Sequence, residues 1–212
     1  MKPILIFELD GTIYPLSQPW AQSPLGKAIR ENSIAFLSNQ LKIPQKKANE
    51  AYETVNQKYQ GEISIGIEKK YGISRHAFFE KVWNIEPKQF LPPNANLQNL
   101  FKAIPNKKII LTAAPLIWAE RVLAFYQLQD AFSSVYTGEP DIRKPNAQAF
   151  GQIISNENVS AKALISIGDQ IETDIIPAKK LGMKTVLVGK PNPMADYCIS
   201  RIEEIEKVVQ IL

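Results

Sequence analysis

One cysteine, Cys198, and one histidine, His76, occur among the 212 residues. A single cysteine excludes an internal disulfide and fits a reducing, cytoplasmic setting. Cys198 has no histidine near it in sequence and stands among apolar residues at helical spacing. It reads as an inert core thiol rather than a nucleophile. His76 follows Ser74, a residue of N-cap type, and reads as a surface histidine near a helix end. No apolar run approaches the ~20 residues of a membrane span. The N-terminus offers Lys2 and only four consecutive apolar residues, too little for a secretory signal. There is no internal repeat, no low-complexity tract and no block of like charge. The 25 Lys and Arg are scattered among 21 Asp and Glu, so neither a nucleic-acid nor a membrane partner is indicated. The net charge of +4 is mildly suited to an anionic substrate. Hydrophobic content of 45% at this length suits one sizeable domain, or a domain with a smaller one inserted.

What is present begins at the N-terminus. Ile4-Leu5-Ile6-Phe7 is a continuous apolar run, followed at once by Glu8-Leu9-Asp10-Gly11-Thr12. Such a run, ending in a polar, glycine-containing turn, predicts a fully buried strand of a parallel sheet. The turn then lies beyond the strand's C-terminal end, where open α/β sheets place their ligand sites. Two carboxylates two residues apart can approach one reacting group, and Gly11 lets backbone N–H groups come close to an anion. A capped strand end with solvated acids is the plainer reading of the same residues.

The next segment, 15–90, reads as helices only. Leu25, Ile29, Phe36, Leu37 and Leu41 share one face at helical spacing. Pro44 opens a second helix through Ala48, Tyr52 and Val55. Short helices over 65–71 and after Ser74 follow, and Pro87, Pro92 and Pro93 close the region. The pattern then alternates. Buried strands are expected at 107–112, 133–136, 163–167 and 184–188, with helices between them near 97–101, 116–126, 146–156, 174–181 and 202–212. Alternation of this kind predicts an α/β fold, a Rossmann-like parallel sheet with right-handed crossovers. The core is expected over 1–14 and 91–212. The inserted block over 15–90 is too long for a crossover and is expected to stand over the site as a helical cap.

Polar residues recur at or after strand ends: Glu8 and Asp10, then Thr112, then Lys144, then Asp169 with Asp174. In a parallel sheet these converge on one edge. Clustered carboxylates call for a cation, and oxygen-only ligands suit Mg²⁺. A hydroxyl and a lysine nearby can hold phosphate oxygens. Taken singly, Lys144 is a surface lysine, Thr112 a satisfied strand end and Asp174 an N-cap. Together and in this order they describe phosphoryl transfer, which needs a nucleophile, a metal, positive charge and positioning.

On Phe7-Glu8-Leu9-Asp10-Gly11-Thr12, Leu111-Thr112, Lys144-Pro145 and Gly168-Asp169 through Asp174, the chain resembles the haloacid dehalogenase-like (HAD) hydrolase superfamily. The order of these stretches and the helical insertion after the first also match, as in the C1-capped branch. Asp10 to Pro15, Thr112-Ala113-Ala114 and Arg121-Val122-Leu123 are most similar to pyrimidine 5′-nucleotidases. The resemblance implies roles. Glu8 is the nucleophile and a metal ligand. Asp10 is the general acid–base and binds metal through its carbonyl. Thr112 and Lys144 hold the phosphate, and Asp169 and Asp174 serve the Mg²⁺ site. Leu9, Gly11, Thr12 and Ala113 lie where the family's backbone meets the phosphate.

Three residues depart from the family's pattern. Its nucleophile is aspartate, and this chain has Glu8; its branch has asparagine at Ala113 and histidine at Trp118. Dehalogenase relatives dispense with the second acid and the metal, whereas Asp10 and the pair 169 and 174 are present. The expected function is a Mg²⁺-dependent phosphatase acting on a small phosphorylated metabolite, with nucleoside monophosphates as one candidate class, through an acyl-phosphate on residue 8. The alternative left open by Glu8 is a non-catalytic phosphate-binding module on the same fold. Tyr14 and Trp20 are expected to line the pocket on the cap side; with Tyr59, they serve equally as cap core. The oligomeric state is not legible.

Overall fold

The computed structural model describes residues 2–16 and 18–211. In chain order the elements are β1 (Ile4–Phe7), α1 (Pro24–Leu41), α2 (Gln45–Lys58), α3 (Ile63–Tyr71), α4 (Arg75–Val82), α5 (Leu97–Ala103), β2 (Lys108–Leu111), α6 (Leu116–Phe125), β3 (Ser134–Tyr136), α7 (Gln148–Glu157) and β4 (Leu164–Gly168). A π-helical turn, Ile171–Ile175, then runs into α8 (Ile176–Lys180), followed by β5 (Lys184–Val188), β6 (Tyr197–Ile199) and α9 (Ile205–Val209). The chain divides into two compact units, Met1–Leu16 with Pro87–Leu212, and Ser17–Glu86. Among the described residues no helix is long and apolar enough to cross a membrane.

The first unit is a six-stranded sheet in the order β3-β2-β1-β4-β5-β6, parallel throughout. This is the Rossmann-like architecture that the alternating pattern predicts. β1 sits inside it, with Ile6 opposite Ile109 on one side and Ser166 on the other. All four of its residues are buried, because a parallel sheet is covered on both faces. Alternation divides them. Ile4 and Ile6 join Ile109, Leu111, Phe150 and Ile153 on one face. On the other, the Phe7 ring meets Phe101 and Phe132 edge-on, at 5.3 and 5.9 Å between centroids.

The second unit is helical, with no strand among its described residues. Ser23 caps α1 by accepting the Gly26 N–H at 3.0 Å, and Pro24 takes the first helical position. Phe36 of α1 packs edge-on against Phe78 of α4 at 5.6 Å, and Arg30 bonds Asn49 and Glu53 of α2 at 2.6 Å each. The unit is bounded by residues 17 and 86, not 15 and 90. Pro87 is buried, Leu91 N–H donates to its carbonyl at 2.8 Å, and Tyr126 of α6 donates to the Pro92 carbonyl at 2.8 Å. These bonds assign 87–92 to the sheet unit.

Two sequence expectations are corrected. Cys198 is not a core thiol on a helix. It is exposed on β6, an edge strand whose alternation turns Ile199 inward and Cys198 out. The helix expected from Asp174 begins instead as a π turn. Ile176 N–H reaches back to the Ile171 carbonyl, and Pro177, having no N–H, cannot restore the α pattern one residue later.

Asp196 pins the approach to β6. Its carboxylate accepts the Thr185 N–H at 2.9 Å, the Thr185 hydroxyl at 2.8 Å and the Lys179 ammonium at 2.8 Å. Burial works against its charge, but the bonds from Lys179 and Thr185 outweigh this and hold the carboxyl below its usual range. The unfolded state therefore binds the proton more readily, and this contribution is present above pH ~4 and lost as the pH falls through the folded value. Asp196→Ala, which also strands the Thr185 N–H, is expected to lower stability by about 1–3 kcal/mol at pH 7 in urea unfolding. The deficit should narrow at pH 3, and one that is unchanged there counts against this account.

Candidate active site at the C-terminal edge of the sheet

Glu8 is the first residue past β1, and its position is set by backbone: its N–H donates to the Ile167 carbonyl at 2.8 Å. Thr112 is the first past β2, fixed by its N–H to the Tyr136 carbonyl at 2.9 Å. The two side chains meet, the Thr112 hydroxyl donating to Glu8 Oε1 at 2.7 Å and accepting the Ala114 N–H at 3.1 Å. Lys144, in the connection between β3 and α7, inserts its ammonium between Glu8 Oε2 and Asp174 Oδ1 and bonds both. Asp174, in the π turn after β4, is held in turn by the Gln170 N–H at 2.9 Å and the Thr173 hydroxyl at 3.2 Å. Thr112, Glu8, Lys144 and Asp174 thus form one buried chain of hydrogen bonds, drawn from the ends of three strands and the loop after a fourth. A Cβ at Gly168 would run into the Asp174 carboxylate, so glycine there is what lets Asp174 fold back over β4.

Asp10 has different partners. The Tyr14 hydroxyl and the Trp118 indole N–H both donate to its Oδ1, the indole at 2.9 Å. The indole N–H also lies 3.3 Å from the Tyr14 oxygen. Between Asp10 and Tyr14 the chain turns tightly through Gly11 at φ +80°. A side chain at Gly11 would strike the Asp169 carboxylate, which accepts the Thr12 hydroxyl at 3.3 Å. The turn after β1 and the residue after β4 are therefore in direct apposition.

The electrostatics follow from four carboxylates and one ammonium. Burial pushes Glu8 up to about 7 against the attraction of Lys144, with Asp174 and Asp10 adding to the rise. Burial and Asp174 push Asp169 up to about 7. Burial raises Asp10, opposed by its bonds from Tyr14 and Trp118. Burial disfavours the Lys144 charge, but Glu8 and Asp174 outweigh that and hold it above its usual range. The site carries an excess of acidic oxygens that one lysine does not neutralise. That donor set, oxygen only and net negative, fits a hard divalent cation such as Mg²⁺. Among the described residues no three acidic, histidine or cysteine side chains converge at ligating distance. Mg²⁺ does not require this, since it is commonly held by one or two carboxylates with waters and substrate oxygens.

The structure gathers Glu8, Asp10, Gly11, Thr12, Thr112, Lys144, Asp169 and Asp174 at this edge. Leu9 is fully buried, backbone included, while Ala113 is exposed. Tyr14 does not line a pocket: it is 1% exposed, stacked at 6.3 Å on Tyr126 and bonded to Asp10. Its ring is apolar enough to bury, and its hydroxyl finds an internal acceptor. Trp20 belongs to the helical unit, where its ring stacks on Trp83 at 5.8 Å. His76 is exposed and faces Glu80 at 3.4 Å. Sequence reasoning missed Trp118 as a partner of Asp10. The available signal was a tryptophan in the first turn of the helix after Thr112, since a buried indole N–H needs an acceptor.

The sequence profile of the haloacid dehalogenase-like hydrolase family matches residues 5–188. A glyceraldehyde 3-phosphate phosphatase of Methanocaldococcus jannaschii is 34% identical over 89 residues, which are 38% of this chain and 39% of that protein. The match thus spans well under half of the relative's length. It also points to a different phosphatase from the pyrimidine 5′-nucleotidases that 10–15 resemble. The fold is shared with the HAD phosphatase of Thermococcus onnurineus, at 22% identity and a TM-score of 0.69 over 99% of this chain and 98% of that one. It is shared too with a magnesium-bound HAD hydrolase of Bacillus subtilis, at 18% identity and 0.63 over 99% of both chains. With the family profile running from β1 to the end of β5, the chain belongs to the haloacid dehalogenase-like hydrolases.

Proposed function

We propose that the chain is a cytoplasmic phosphomonoester hydrolase that passes its phosphoryl group through the Glu8 carboxylate. The observation that carries this reading is the buried chain Thr112–Glu8–Lys144–Asp174 with Asp10 two residues beyond Glu8. A carboxylate oxygen of Glu8 bonds to phosphorus as the bond from phosphorus to the ester oxygen breaks. Asp10 gives its proton to the departing alkoxide, so the alcohol leaves neutral. Asp10 then takes a proton from a water whose oxygen attacks the acyl-phosphate, releasing inorganic phosphate and restoring the Glu8 carboxylate and the protonated Asp10. Thr112 and Lys144 bind the phosphate oxygens and steady the charge that spreads over them. Glu8, the Asp10 carbonyl and Asp169 would hold Mg²⁺, with Asp174 supporting its water shell. Bound there, the ion supplies positive charge to the phosphate.

The substrate is a small phosphorylated metabolite. The name of the Methanocaldococcus relative favours a phosphorylated three-carbon aldehyde over a nucleoside monophosphate. The scattered lysines offer no continuous basic surface for a polyanion.

A specific observation supports a second reading. Both oxygens of Glu8 are already engaged, by Thr112 and Lys144, the groups that a phosphate would use. The extra methylene of glutamate carries the carboxylate into that place. A site occupied by its own nucleophile would bind phosphate poorly and turn over slowly, and displacement near 1 Å costs on the order of 100-fold in rate.

Phosphate release from p-nitrophenyl phosphate, glyceraldehyde 3-phosphate and a nucleoside monophosphate panel, with Mg²⁺, tests the reading directly. Turnover by this chain is expected, rising about 100-fold in Glu8→Asp. Turnover only in Glu8→Asp identifies a phosphatase site silenced at residue 8. Silence in both, together with no phosphate binding by calorimetry, overturns the reading. Lys144→Ala leaves Glu8 and Asp174 buried without a counter-charge. Without added metal it should lose about 3–5 kcal/mol in urea unfolding at pH 7. A loss below about 1 kcal/mol would mean that the two carboxylates are not held charged by Lys144.

A further inference from the structure

Asp10 receives two hydrogen bonds, and both fall on the same oxygen. The Tyr14 hydroxyl and the Trp118 indole each donate to Oδ1. Both donors are interior, Trp118 at 0% and Tyr14 at 1% exposure. Both are held in place by what surrounds them: the Tyr14 ring stacks on Tyr126, and Trp118 lies in the first turn of α6, whose N-cap is Pro115. An indole N–H can donate and never accept. Oδ1 is therefore held as an acceptor, and a proton on the carboxyl group has to reside on Oδ2. Among the described residues no hydrogen bond is made to Oδ2.

We propose that Trp118, with Tyr14, is a positioning residue that clamps one oxygen of Asp10 and so presents the other as the single proton-carrying face of the acid. The proposal rests on the reading of Asp10 as general acid–base. It goes beyond that reading in assigning to Trp118 a part in the chemistry, through the donor N–H rather than through bulk. A carboxylic acid free to rotate would offer its proton in several directions, most of them away from the leaving oxygen. One held at Oδ1 from two sides spends its time in the productive orientation. Tyr14 and Trp118 also act on each other, since the indole N–H lies 3.3 Å from the Tyr14 oxygen. Removing either donor loosens the other.

The consequence is a dependence on leaving group. A p-nitrophenolate departs without needing a proton, whereas the alkoxide of β-glycerophosphate needs one from the acid. In whichever background turns over, the chain as it stands or Glu8→Asp, Trp118→Phe should lower kcat/KM for β-glycerophosphate by about 10–100-fold. The same change should move kcat/KM for p-nitrophenyl phosphate by no more than about threefold, because kcat/KM ends at the loss of the leaving group and leaves out the later attack of water that Asp10 also assists. Tyr14→Phe, which removes a single oxygen, should act in the same direction and guards against a Trp118→Phe chain that fails to fold. An equal loss of kcat/KM for both substrates, or no loss for either in a folded variant, overturns the proposal. The contact itself is read without turnover. The indole ¹H–¹⁵N resonance that disappears in Trp118→Phe should move upfield in Asp10→Ala. If it stays in place, the clamp does not exist, whatever the activity. If it moves while neither background hydrolyses any phosphate ester, the clamp stands and the phosphatase reading is what fails.

Discussion

The ammonium of Lys144, buried between Glu8 and Asp174, is the interaction on which the rest of this site depends. It joins three pieces of chain distant in sequence: the end of β1, the loop after β3 and the turn after β4. Two carboxylates brought this close in the interior would repel. With the lysine between them, the arrangement becomes affordable, though not strongly stabilising in itself, because a buried ion pair has given up the hydration of both charges. Its value lies in geometry. The ammonium can satisfy both acids only when β1, β4 and the loop carrying Lys144 stand at their native separations, and those separations are what a phosphate-sized ligand would need.

The sheet supplies that separation. β1 is buried on both faces and paired on both edges, so Glu8 cannot shift without disturbing two ladders. The N–H of Glu8 extends the ladder with β4 by one residue, and that of Thr112 extends the ladder of β2 with β3. Side chains at such positions inherit the rigidity of the core while their functional atoms point past its edge. The same reasoning explains the glycines. Gly11 and Gly168 stand where the Asp169 and Asp174 carboxylates press against backbone, and any Cβ would force those acids away from β1.

Much of this was legible in the sequence because it is carried by short-range pattern. Apolar runs ending in polar residues located β1, β2, β4 and β5, and the alternation with helices predicted a parallel sheet. Convergence at its C-terminal edge followed from topology alone. What was not legible is what depends on contacts at long range. β6 is three residues long and at the edge, and Tyr197, Cys198 and Ile199 carry too little alternation to outweigh the helical spacing of their apolar neighbours. The π turn before α8 depends on how Pro177 interrupts a helix that Asp174 would otherwise start. Tyr14 and Trp20 were grouped as ring residues near the first motif. Nothing local distinguishes a tyrosine whose hydroxyl is used inside the core from a tryptophan that stacks within the helical unit. Trp118 was read as a missing histidine, when the property that matters at that position is an N–H aimed at Asp10.

The two acids of the first motif, only two residues apart, are given unlike surroundings. Glu8 faces a cation and a hydroxyl, while Asp10 faces two neutral donors on one of its oxygens. Lysine beside Glu8 favours the charged form, against the burial that raises its pKa, and the charged form is the one that the proposed phosphoryl transfer calls for. The neutral donors offset part of the rise that burial imposes on Asp10, which under the proposed reading has to give up and regain a proton. Glutamate at position 8 disturbs only the first half of this division. Its carboxylate is bonded by Thr112 and Lys144, while that of Asp10 is bonded by Tyr14 and Trp118, so the two sets of donors are separate. The glutamate at residue 8 therefore leaves intact the arm that the proposed reading assigns to acid–base work.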